Sequence, residues 1–149
     1  MGGFIKDAWN LGSVNGSLQI MLDPLVRVVA SVIRRGDRLL VCQRPFHKRH
    51  GGLWEFPGGK CENGESDLDA VTRELREELG VNTKSVGPPI FEIRDGSALF
   101  LIVFLNVEIE GPPICIEHLE LGWHTLEEML ELGLAPSDRQ FVNFLHKHK

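Results

Sequence analysis

Residues 54–81 read WEFPGGKCENGESDLDAVTRELREELGV. Ser66 is placed to cap a helix, and Asp67 and Asp69 suit the positive end of its dipole. Leu68, Val71, Leu75 and Leu79 recur at helical spacing and predict one core-facing stripe, with Gly80 as the stop. On such a helix Glu74, Glu77 and Glu78 fall within an arc of about 100° beside the stripe. Like charges this close repel. A glutamate-rich face by itself is an ordinary solvated face, and Arg73 and Arg76 could pair with some of it. A hard divalent cation such as Mg²⁺ would instead turn the repulsion into coordination.

Outward from the helix, Val26 to Ile33 reads as a buried strand, the RRGD at 34–37 as a turn, and Arg38 to Gln43 as a second strand. The two predict a hairpin. A basic loop, RPFHKRHGG at 44–52, leads to the short apolar segment 53–56 and then to Pro57-Gly58-Gly59. Two strands follow, Ile90 to Ile93 and Ala98 to Ile109, joined across Asp95-Gly96. Glu120 to His124 reads as a short strand. Thr125 starts a helix with Glu128 in the capping-box position and Gly133 as its end, and Ser137 starts the last helix with Gln140 in the same relation. The order of elements predicts a single α/β (α+β) domain over residues 24–149, a mixed sheet flanked by helices, with residues 1–23 as an N-terminal arm or extension.

Composition narrows the function. The chain has 149 residues, 42% hydrophobic and 25% charged, which suits one soluble domain. Its net charge of -5 gives no basic surface for a nucleic-acid polymer. Cys42, Cys61 and Cys115 have no CxxC spacing, so they read as free thiols of a cytoplasmic protein. The longest apolar run, 98–105, is too short for a membrane span, and no signal-peptide pattern opens the chain.

Gly59, five residues, Glu65, seven residues, Arg73-Glu74-Leu75, one residue, Glu77-Glu78, one residue, Gly80-Val81: this spacing resembles the Nudix box at every defined position. The resemblance implies a Nudix-type α/β/α sandwich and hydrolysis of a nucleoside diphosphate linked to another group. It implies that Glu74, Glu77 and Glu78 bind Mg²⁺ or Mn²⁺, that Arg73 and Glu65 hold them in position, and that the Gly58 carbonyl is a candidate further ligand. From about Leu25 to Leu145 the chain is similar to MutT-type nucleoside triphosphate pyrophosphohydrolases, through LLVCQRP and LWEFPGGK.

That likeness implies a small-molecule nucleotide substrate, 8-oxo-dGTP or a related triphosphate, with a CTP-type or ADP-ribose-type substrate as the alternative. A nucleotide-binding regulatory module is the non-enzyme reading, and either a monomer or a homodimer fits. Arg44 and Arg49 would contact phosphate, and Lys60 would offset its charge. Glu117, six residues before Trp123, would be a further catalytic or metal-binding acid, with Glu120 as the alternative. Asp138 stands where the branch reads the base. Phe56 or Trp54 would line the base pocket.

Overall fold

A largely apolar run, VRVVASV, builds the centre of the molecule. In the computed structural model, which describes residues 25–96 and 99–149, it forms β1 (Val26–Val32), whose last four residues are buried. Such a strand is buried on both faces. Val29 and Ile33 pack into one core with Val71, Leu75, Leu79 and Val103. Ala30 and Val32 pack into a second core with Phe104, Met129 and Phe141.

β1 lies between β5 (Gly58–Lys60), antiparallel, and β7 (Phe100–Glu110), parallel. β6 (Asn82–Arg94) closes this mixed sheet, in the order β5-β1-β7-β6. The expected β6–β7 pairing forms, and β6 begins eight residues before the predicted Ile90. Register shifts at Ser85, Pro89 and Phe91 accommodate Pro88 and Pro89, which cannot donate to the ladder.

A second sheet is antiparallel. β3 (Arg38–Gln43) pairs with β2 (Arg34–Arg35), β4 (Trp54–Glu55) and β8 (Glu120–His124). The predicted hairpin between the first two long strands is corrected here. The turn at Gly36, with φ 61°, joins β2 to β3, while β1 has already passed into the other sheet. The link is one hydrogen bond, Leu40 N–H to the Ile33 carbonyl, at 3.0 Å.

α1 (Asp67–Leu79) covers the first core, and α2 (Leu126–Leu130) and α3 (Pro136–Lys147) cover the second. Ser66 and Gly80 cap α1 as expected, and Thr125 and Glu128 complete a capping box on α2. Three details differ. Leu68 is 52% exposed and stands outside the apolar stripe. α2 ends at Leu130, with Glu131 as its cap, short of Gly133. α3 starts at Pro136, which occupies the first turn because its missing N–H costs nothing there, and no side chain caps it. None of the described helices is long and apolar enough to cross a membrane. The arm read over residues 1–23 lies outside the described residues.

Candidate active site

α1 turns its acidic flank toward β5. Glu78 lies three residues beyond Leu75 and is only 6% exposed. Its Oε1 accepts the Gly58 N–H at 3.2 Å. The Glu74 carboxylate rests on Gly59, where a Cβ would stand 2.4 Å from Oε2. A Cβ on Gly58 would stand 1.9 Å from the Val29 carbonyl oxygen. Gly59 therefore lets the helix carboxylate approach the strand, and Gly58 lets β5 lie close against β1. Glu77 remains half exposed on the same helix.

Burial pushes the Glu78 carboxyl well above the usual carboxylate range, and the neighbouring Glu74 and Glu55 carboxylates push it further. The Gly58 N–H opposes them. Two adjoining carboxylates beside a backbone amide and a fixed guanidinium suit a hard divalent cation. Among the described residues no three His, Cys, Asp or Glu side chains are yet gathered closely enough to hold a metal.

Arg73 organises this flank. Its Nε and Nη2 grip both oxygens of Glu65 at 2.8 and 2.9 Å. Nη1 holds Glu74 Oε2 at 2.9 Å, and Nη2 also reaches the Lys60 carbonyl at 2.9 Å. The guanidinium draws the Glu65 carboxyl down to about 2, helped by the Glu62 N–H.

Arg44 leaves the end of β3. Its Nη1 donates to Glu55 Oε1 at 2.8 Å and its Nε to the Arg49 carbonyl at 2.7 Å. Glu55 belongs to the second sheet, yet its charge is felt at both Glu78 and Asp138. Sequence reasoning passed over it. The aromatic residues on either side drew attention, and both turn the other way. Phe56 is 3% exposed, edge-on to Phe104 and Phe141 with ring centroids 5.8 and 5.2 Å away. This corrects its assignment to a base pocket: the ring is core, and the residue meets the site only through its N–H. Trp54 packs with the same core and stands edge-on to His124. An acid between two core aromatics was the available signal, because strand alternation puts it on the opposite face.

Asp138 Oδ1 accepts the Phe56 N–H at 2.9 Å. Burial pushes its carboxyl up to about 7, with Glu55 adding to the rise and the Phe56 N–H and Arg44 opposing it. An unfolded aspartate titrates near 3.8. The folded protein thus holds this proton over a window in which the unfolded chain has lost it. The stability contributed by this group is complete below about 4 and falls by roughly 1 kcal/mol per pH unit up to about 7. Asp138→Asn keeps the acceptor and removes the titration. Its melting temperature should match the native protein near pH 4 and exceed it at pH 8. Parallel melting curves across that range would show that Asp138 is not desolvated.

Other predicted residues are not brought to the carboxylates. Glu117 is exposed on the loop before β8. Lys60 Nζ lies 5.2 Å from the centre of the Phe100 ring. Arg49 is exposed and contributes its carbonyl to Arg44. Gly58 alone of these reaches a carboxylate, Glu78, and does so through its amide rather than its carbonyl. A cleft of about 680 Å³ near Arg34, Lys84, Glu108 and Trp123 is lined by none of the box glutamates. The chemistry rather than the cavity locates the site.

The family model of the NUDIX domain matches residues 24–145. The CTP pyrophosphohydrolase of Escherichia coli (strain K12) is 38% identical over 117 residues, covering 76% of this chain and 86% of that protein. An 8-oxo-dGTP diphosphatase of Proteus vulgaris is 41% identical over 58 residues, covering 38% and 52%. A structure from work on MutT of Aliivibrio salmonicida and Vibrio cholerae superposes with a TM-score of 0.71 at 28% identity, covering 83% of this chain and 98% of that one. With the box on α1 and a match running nearly the whole described length, the chain belongs to the Nudix family and is a hydrolase that acts on nucleotides.

Proposed function

We propose that the protein is a MutT-like enzyme that hydrolyses a nucleoside triphosphate to the monophosphate and pyrophosphate, using Mg²⁺ or Mn²⁺. The observation that carries this reading is the Glu74–Glu78 pair enclosed against Gly58 and Gly59, with Arg44 in the neighbouring strand. A divalent cation held by Glu74, Glu77 and Glu78 would offset phosphate charge and ease deprotonation of the attacking water. Glu74, with one oxygen held by Arg73, is the base in this reading. Arg44 would grip the phosphate chain through its remaining N–H groups. Asp138 and the Phe56 amide, joined to each other without substrate, would face the base.

Within that class, 8-oxo-dGTP and related triphosphates suit a MutT-like site. A CTP-type substrate is the second reading. The similarity to a CTP pyrophosphohydrolase supports it, as does an acceptor at Asp138 able to meet an amino group. A pyrophosphate-release screen with each metal over 8-oxo-dGTP, dGTP, CTP, dCTP, ATP and ADP-ribose tests both. Activity confined to ADP-ribose would overturn the triphosphate reading. In the same assay Glu77→Gln should lower turnover by roughly 100-fold. Its half-exposed position should leave the melting temperature of the metal-free protein unchanged. Near-native turnover would remove Glu77 from the metal set.

A further inference from the structure

In the loop between β7 and β8 one side chain turns inward. Ile114, Ile116 and Glu117 are exposed, whereas the His118 side chain is only 5% exposed. Its Nε2 lies 3.0 Å from Glu55 Oε2, and the other oxygen of that carboxylate receives Arg44 Nη1 at 2.8 Å. One carboxylate thus joins the loop to the arginine. His118 Nδ1 is buried and has no hydrogen-bond partner among the described residues. A hydrogen on Nδ1 would be an orphan donor, so the hydrogen-bond network assigns it to Nε2, which donates to Glu55. The backbone fixes where the ring can sit. Ile114 N–H bonds the Leu79 carbonyl, Ile116 N–H the Glu78 carbonyl, and Leu119 N–H the Gln43 carbonyl, at 2.8, 3.2 and 2.9 Å.

A carboxylate with both oxygens free prefers to take a guanidinium as a two-pronged pair. Here Glu55 binds Arg44 through one oxygen only, and His118 occupies the other. Arg44 spends Nε on the Arg49 carbonyl and Nη1 on Glu55, leaving Nη2 without a partner among the described residues.

We infer that His118 is a positioning residue: by occupying Glu55 Oε2 it keeps Glu55 from capturing both arms of Arg44, and so keeps Arg44 Nη2 available for the phosphate chain. This rests on reading Arg44 as a phosphate ligand. Neither Glu55 nor His118 needs to touch substrate.

The test is steady-state kinetics on the best triphosphate, paired with an NMR measurement that needs no substrate. His118→Ala should raise KM about tenfold while kcat stays within about twofold. His118→Gln, which places an amide N–H where Nε2 stands, should bring KM most of the way back. Adding Glu55→Gln to His118→Ala should also lower KM, because an amide accepts through one oxygen alone. An unchanged KM in His118→Ala, a loss confined to kcat, or no rescue by glutamine would overturn the inference. The Arg44 Nε–H resonance, followed in metal-free protein, should shift in His118→Ala and return in His118→Gln. If the native protein releases pyrophosphate from no triphosphate, the proposed function fails and this resonance decides the positioning role by itself. A resonance that His118→Ala leaves in place overturns it.

Discussion

Replacing Glu78 by glutamine should nearly abolish turnover and yet make the metal-free protein more stable. The two effects come from one fact: Glu78 is an acid packed at 6% exposure beside two other carboxylates. Its folded form binds a proton far more tightly than the unfolded chain does. The stability linked to that proton is complete below the ordinary glutamate range near 4.5 and is lost as pH rises toward the elevated folded value. At pH 8 the native protein therefore carries a standing cost, of order 1–3 kcal/mol for a buried polar group with imperfect partners. Glutamine keeps an acceptor for the Gly58 N–H and offers Glu74 a donor. The metal-free melting temperature should rise by a few degrees at pH 8. Turnover should fall roughly 10³-fold, because the group that a divalent cation would neutralise is gone. Mg²⁺ or Mn²⁺ should raise the melting temperature of the native protein and leave that of Glu78→Gln almost unmoved. A variant that is both less stable and still active would contradict the assigned burial and role together.

Arg73→Lys is expected to damage both turnover and stability, though it preserves charge. One guanidinium meets Glu65 through two parallel bonds, Glu74 through a third and the Lys60 carbonyl through a fourth. An ammonium cannot span that fork. Glu74 then loses its fixed orientation against Gly59, and turnover should drop by about 10–100-fold, the usual cost of losing a group that orients ligands. The melting temperature should fall as well. Glu65 titrates near 2 in the folded protein because of Arg73, so its contribution is present above about 4.5 and disappears as pH falls toward 2. The difference in melting temperature between Arg73→Lys and the native protein should therefore shrink in acid. A gap that stays constant down to the lowest accessible pH would place the effect elsewhere.

What the sequence revealed was what is decided locally. Ser66, Gly80, Thr125 and Glu128 act through bonds within their own turn, and their helix ends fall where expected. β3 matches its predicted limits because a turn precedes its apolar run, and β8 because the Thr125 cap ends it. The glutamates of the box were legible because four residues of helix bring Glu74 and Glu78 together whatever the rest of the chain does. Glu55 and His118 were not, since they meet across 63 positions. The partner of β1 was misread for a related reason. Val26 to Ile33 and Arg38 to Gln43 are close in sequence, but the first finds its parallel neighbour at Phe100–Asn106. Leu68 was misread because α1 turns only its Ala70–Val71–Leu75–Leu79 side to the sheet.

The parallel partnership of β1 with β7 also bears on how the protein comes to exist. α1 and the β6–β7 ribbon draw on near neighbours and can form early, while β1 must find a strand about seventy residues away. Joining such distant segments spends chain entropy before any contact is gained, which makes it a slow event. Among the described residues β5 pairs with β1 alone. The glycines that receive Glu74 and Glu78 are thus set in place only when the last long-range closure is made. During refolding, helicity should return first and metal-dependent protection afterwards. A chain still emerging from the ribosome would already carry all three acids of the box, but not the surface on which they act.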